Sequence, residues 1–236
     1  MFFWRKQKAA IAGFHPLHQA LIHERGFSAT QPAAGWVALT TSLHRHAGLV
    51  SRSKWALPPR MLDVIVPLID EICTDLGRKG TLTITADLRG HEAPGKSHPP
   101  RDLPVRPPVK SATDTWSIDP WLRLRADLRD GSVLEVLVVD RVRTRRVTKR
   151  NPRGKTKIKR KTKQVQIIKV RRKLPPGIPG QRPASAPPRW IQTVVRDGPR
   201  RSVTAAAKVT RKPQSPHEQV DWILAVATEP FRWSAR

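Results

Sequence analysis

The chain contains a single cysteine, Cys73, and no tyrosine. One thiol excludes an internal disulfide and any cysteine cluster that would hold zinc. It is compatible with a reducing compartment, and the expected location is the cytoplasm. No run approaches the roughly 18 consecutive apolar residues that a spanning helix needs. The opening segment, MFFWRKQKAAIAGF, sets apolar residues ahead of charge, the reverse of a secretory leader. Phe2, Phe3 and Trp4 beside Arg5, Lys6 and Lys8 form too short an apolar face for a stable interfacial helix. That argues against a membrane partner and for docking on protein.

Acidic residues are scarce as well: 18 Asp and Glu stand against 45 Lys and Arg, a formal net charge of +27. The imbalance is local. From Arg141 to Lys173 there are 17 Lys or Arg and no acid. Within that stretch, Asn151-Pro152-Arg153-Gly154 has the residues of a type I turn followed by a glycine bulge: Asn at the first corner, Pro fixing φ at the second, Gly accepting positive φ at the fourth. Setting Asn151 opposite Lys155 places Leu134, Val136 and Val138 against Arg172, Val170 and Ile168, and Glu135 against Arg171, an opposite-charge cross-strand pair. A register one residue away sets Val136 against Lys169 and is worse. A long antiparallel ribbon is therefore expected, rooted in the core at 133–140 and 166–173 and projecting as a basic hairpin over 141–165.

From Arg141 through Lys163 the ribbon has only Val142, Val147 and Ile158 as large apolar residues. At roughly 3.3 Å per residue, an arm of about 10 to 12 residues reaches 35–40 Å. It cannot bury apolar surface on its own chain, and like charges such as Arg143 and Lys163 would face each other. Lys155, Lys157, Lys159, Lys161 and Lys163 alternate with other residues and so share one face of an extended strand, at a pitch of about 6.6 Å. The candidate phosphate contacts are Arg141, Arg143, Arg145, Arg146, Lys149, Arg150, Arg153, Lys155, Lys157, Lys159, Arg160, Lys161 and Lys163. No aromatic lies in the ribbon, which favours contacts to phosphate and shape over base stacking. The bland alternative is a solvated charge run or a targeting signal. A turn-centred, alternating, acid-free block is more organised than such tails.

Three N-terminal helices are expected. Pro16 opens the first, which runs to Arg25 with Gly26 as its stop. The second spans 34–46 with Trp36, Val37, Thr40 and Leu43 inward and Gly48 beyond its end. The third carries Met61, Leu62, Ile65, Leu68, Ile69, Ile72 and Leu76 at helical spacing, with a kink at Pro67. Its outer acids, Asp63, Asp70, Glu71 and Asp75, suit a solvated face. A half-buried strand follows at 81–88, and residues 90–117, rich in proline, are expected to be a linker or loop. Residues 121–128 and 133–139 form a hairpin about Asp130-Gly131, pairing Leu122, Leu124 and Leu128 with Val139, Leu137 and Val133. Residues 133–139, apolar on both faces, make the central strand. A second Pro-rich loop (175–188), strands at 190–195 and 202–210, and a helix capped by Ser215 and Glu218 complete the chain. The fold class is α+β: an antiparallel sheet of about five strands with N-terminal helices and a C-terminal helix, plus the projecting hairpin. Residues 1–89, 90–117 and 118–236 are parts of one composite domain.

Few motifs suggest chemistry. Gly90 to Ser97 matches the phosphate-loop pattern and follows a strand, but His98-Pro99-Pro100 leaves no helix to start at Lys96. Eight scattered histidines lack carboxylate or Cys at ligand spacing, so no metal is implied. Asp127, Asp130, Glu135 and Asp140 share a hairpin, where turn formation and ion pairing account for them better than catalysis. Trp116, Trp121 and Trp190 beside the Pro-rich stretches either close a core or stack on bases. The expectation is non-enzymatic nucleic-acid binding, without cofactor and within a larger complex. RNA is placed slightly ahead of DNA, though nothing in the sequence decides between them; as a device the ribbon resembles the basic extensions that many ribosomal proteins push into RNA, and no motif carries a family. The alternatives are a structural assembly protein whose hairpin engages other protein subunits, and a phosphate-loop NTPase.

Overall fold

A computed structural model describes residue 5 and residues 8–9, 12–49, 55–150, 153–178 and 181–233. The Phe2-Phe3-Trp4 segment and the Asn151-Pro152 corner lie outside the described residues. Helices α1 (Pro16–His23), α2 (Ala33–Leu49), α3 (Val66–Thr74) and α4 (Pro216–Thr228) accompany eight strands. These are β1 (Gly26–Pro32), β2 (Thr81–Asp87), β3 (Arg101–Asp102), β4 (Val109–Asp127), β5 (Val133–Arg150), β6 (Thr156–Lys173), β7 (Ile191–Arg196) and β8 (Ser202–Val209). They form one antiparallel sheet in the order β1-β2-β4-β5-β6-β8-β7, with β3 added on β4. The α+β class stands, and β5 is the middle strand as its two-sided apolar character requires. The sheet is larger than the expected five strands because Gly26–Pro32 and Arg101–Asp102 also pair, and the segment from Val109 lengthens β4.

Helices cover one face only. Leu82, Ile84, Leu122, Leu124, Leu134, Val136, Val138, Ile168, Val170 and Ala205 point under them and are at most 4% exposed. Trp36, Leu43, Leu68, Ile69 and Ile223 close the layer from the helix side, and the Trp36 indole N–H donates to the Leu82 carbonyl at 2.8 Å. Ser215 caps α4 by accepting from the Glu218 N–H, as expected, while the Glu218 carboxylate accepts from the N–H of Gln214, one residue before the cap.

Several local expectations need correction. Helix α2 runs through Gly48, and Val37 is 52% exposed, not inward. Instead of kinking at Pro67, the third helix opens with a π-helical turn, Met61–Ile65, and Pro67 sits in the first turn of α3, where its missing N–H costs little. The β4–β5 hairpin is one residue out of the expected register: Leu122, Leu124 and Ala126 face Val138, Val136 and Leu134. Its loop runs from Leu128 to Ser132, with the Leu128 N–H donating to the Ser132 carbonyl, rather than turning tightly at Asp130-Gly131. A one-residue slip moves every side chain to the other face, and only the observed register buries these leucines.

His18 and His46 are fully buried beside Phe14, their rings 5.5 Å apart, and neither His18 nitrogen has a partner among the described residues. Burial, then the neighbouring His46 and His15, lower the His18 pKa from 6.5 to about 4. The unfolded chain thus takes up this proton first, and stability present above pH 6.5 is lost as the pH falls toward 4, by up to about 3 kcal/mol. Thermal melts across that range should show a smaller acid loss for His18→Leu than for the parent; parallel curves would exclude His18 as the cause.

Candidate nucleic-acid interface

The expected ribbon register holds along its whole length, from Val133 opposite Lys173 to Arg150 opposite Thr156. The described part of the connection includes Gly154 at φ 77°, the left-handed backbone that its bulge position calls for. The arm, however, has three strands. β4 pairs along β5 from Ile118 opposite Arg141 to Val109 opposite Lys149. Residues 96–103 add to the outer edge of β4: the Ile118 N–H donates to the Lys96 carbonyl (2.9 Å), His98 N–H to Trp116 (2.7 Å) and Leu103 N–H to Ala112 (2.9 Å). Much of the 90–117 linker is therefore sheet. Between Asp119 and Leu122 a bulge at Pro120-Trp121 breaks the alternation where β4 passes from the body into the arm.

Pairing fixes which side chains share a face. Arg141, Arg143, Arg145, Lys149, Lys157, Lys159, Lys161 and Lys163 lie on the helix-free face. The opposite face takes Arg146, Arg150 and Arg160 among serines and threonines. Arg153 and Lys155 fall in the connection, so Lys155 does not join the lysine row, which begins at Lys157. Like charges meet directly at Arg143–Lys163, Arg145–Lys161 and Lys149–Lys157, and on the other face at Arg146–Arg160. Each such pair destabilises the bare arm.

The basic face does not stop at the arm. Register carries it onto the body through Arg123, Arg125, Lys169, Arg171 and Lys208, none of which was singled out from sequence. The signal was present: Arg123 and Arg125 alternate with buried Leu122 and Leu124, as Lys169 and Arg171 do with Ile168 and Val170. Acids sit among these cations as well, and Asp114 and Glu135 are both engaged. Asp114 accepts from Nε and Nη2 of Arg145, each at 2.8 Å, and this guanidinium holds its carboxyl below the ordinary range. Arg145 thus ties β4 to β5 instead of standing free for a ligand. Glu135 lies opposite Arg171 as expected, but its ion pairs are Arg125 (3.3 Å) and Lys173 (2.5 Å).

Where the arm leaves the body, Asp119 and Asp140 face each other across β4 and β5, 1% and 2% exposed. Lys96 reaches Asp119 at 2.6 Å and Asp87 at 2.9 Å; Arg60 reaches Asp140 at 2.6 Å and Gln166 donates to it at 3.1 Å. Asp87 is held below the carboxylate range by its bonds to Arg89, against the opposing effect of burial, with Lys96 adding to it. A cavity of about 260 Å³ beside them is lined by Arg25, Arg60, His91, Asp119, Asp140 and Gln164, among others. Among the described residues no three His, Cys, Asp or Glu side chains group as a metal site. Lys96, the phosphate-loop lysine of the sequence pattern, is thus an interior counter-ion, and extended chain follows it where a nucleotide site needs a helix. Burial, with Asp70 nearby, pushes the Cys73 thiol up to about 11, far from nucleophilic.

The three tryptophans part company. Trp121 is fully buried under the Arg60 guanidinium, 4.6 Å from its ring. Trp190 is 41% exposed just before β7. Trp116 is 39% exposed on the basic face, with the guanidinium carbons of Arg143 and Arg141 at 5.6 and 5.9 Å from its ring. The hairpin has no aromatic, but the third strand brings one to it. No helix among the described residues is long and apolar enough to cross a membrane. Compared with protein-family models, with curated proteins and with solved structures, the chain finds no match in any of the three.

Proposed function

We propose that this protein binds nucleic acid without catalysing a reaction, laying the helix-free face of its arm and sheet against phosphates within a larger complex. The observation that carries this reading is the one-sidedness of the charge. Eight of the arm's cations share a face that continues onto the body, against three on the other. A solubilising tail has no need of such sorting, and the like-charge pairs Arg143–Lys163 and Lys149–Lys157 held in register on that face call for a polyanion to relieve them. Binding of labelled RNA or DNA, followed by anisotropy over a salt series, should give a log–log slope of about −6 to −7 if roughly eight phosphates are engaged. A slope near zero sinks the proposal. Protein purified from its own cells should also carry nuclease-sensitive, salt-removable nucleic acid.

One observation supports assembly on protein as a second reading. β8 leaves β6 at Gln166, so residues 156–165 form a sheet edge with no strand beside it among the described residues. An added strand from another subunit would fit there. The lysines along it are the usual guard against such pairing, which puts this reading second. A discrete nucleic-acid-free homo-oligomer in light scattering would reverse the order.

A further inference from the structure

The third strand changes which form of nucleic acid the arm can accept. A B-form major groove, about 12 Å wide, admits a helix or a two-stranded ribbon, and the A-form major groove is too deep and narrow for side chains to read. With strands about 4.8 Å apart, β4, β5 and β6 span about 10 Å between backbone axes before side chains, and residues 96–103 widen the foot further. Such a slab does not enter a groove. It offers a platform.

At the foot of that platform Trp116, Ile118 and Val165 set apolar surface among the cations, next to Val139 and Ile167 on the same face, with Trp116 and Ile118 39% and 42% exposed. Trp116, Val165, Arg141, Arg143, Lys163 and Lys208 line a hollow of about 230 Å³. An aromatic ring ringed by four cations has the two components of a single-strand site: a π-face for a base and charges for the phosphates on either side of it. A duplex presents no base face there except at its ends. We infer that the ligand is single-stranded nucleic acid and that Trp116 stacks on one of its bases while Arg141, Arg143, Lys163 and Lys208 hold the adjoining phosphates. This rests on the phosphate-binding function proposed above and adds a nucleobase to it.

The test compares three probes with the same number of phosphates on the full chain: a short single-stranded oligonucleotide, the same chain made abasic, and a duplex of half that length. The base-bearing single strand should bind on the order of tenfold tighter than the abasic one. Trp116→Ala should erase that difference, and Trp116→Phe should keep most of it. Equal affinity for abasic and base-bearing strands, or a duplex bound as well as the single strand, overturns the stacking while a steep salt slope leaves phosphate binding intact. If none of the three binds, the phosphate reading falls and the stacking with it. Should Trp116→Ala not fold, the probe comparison on the parent protein together with Trp116→Phe still decides.

Discussion

Replacing Lys157, Lys159, Lys161 and Lys163 together by Gln lowers the log–log salt slope of binding by about 3 units and the affinity at about 0.1 M salt by two to three orders of magnitude. These four share the helix-free face on the outermost strand of the arm, where they can all reach one polyanion. The matched control is Arg146, Arg150 and Arg160 to Gln on the other face, which should change the slope by less than about one unit. The contrast separates a binding face from a polyelectrolyte tail, for which loss scales with charge removed wherever it sits. An equal loss per charge on the two faces sends the proposal back to a tail. The lysine variant should also protect the arm's amides from hydrogen exchange in the absence of nucleic acid. It removes the repulsions at Arg143–Lys163, Arg145–Lys161 and Lys149–Lys157 while leaving the backbone ladder in place.

That variant could be chosen from sequence almost as well as from structure, because local rules govern it. Turn chemistry about Gly154 and the apolar pairs Val136–Val170 and Val138–Ile168 set the ribbon register, and the structure keeps it to the tip. The third strand escaped for a physical reason. Lys110 to Asp119 is mostly Ser, Thr and Asp around one Trp, a composition typical of loops, and it follows a run of prolines. What makes Asp114 tolerable in a strand is Arg145, which lies 31 residues away and is invisible to local pattern. The bulge at Pro120-Trp121 hid the rest, since it shifts the period-two alternation midway along β4. The one-residue error in the β4–β5 hairpin has a similar origin: Asp130-Gly131 favours a tight turn, while Ser132, whose N–H and hydroxyl both donate to Asp130, stabilises a longer loop.

Lys96→Ala should cost about 3–5 kcal/mol of stability, as removing one partner of a buried ion pair does. Its side chain is 8% exposed and is the partner of Asp119, itself 1% exposed and set in register against Asp140. Removing the cation leaves a buried carboxylate uncompensated and a second one across the ladder, the latter served by Arg60 and Gln166. The damage should be greatest at the root of the arm, so limited proteolysis should cut near residues 96–119 before the helical body. Asp119→Asn in the Lys96→Ala background should restore part of the loss, because the orphaned charge goes with it; additive losses would show that the two side chains do not depend on each other. The same substitution separates the interior counter-ion from a phosphate-loop lysine. A nucleotide site predicts lost ATP binding at unchanged stability. An ion pair at the root predicts a lower melting temperature in a protein whose parent binds no ATP, together with weaker nucleic-acid binding, because the arm no longer holds its basic face in line with the sheet.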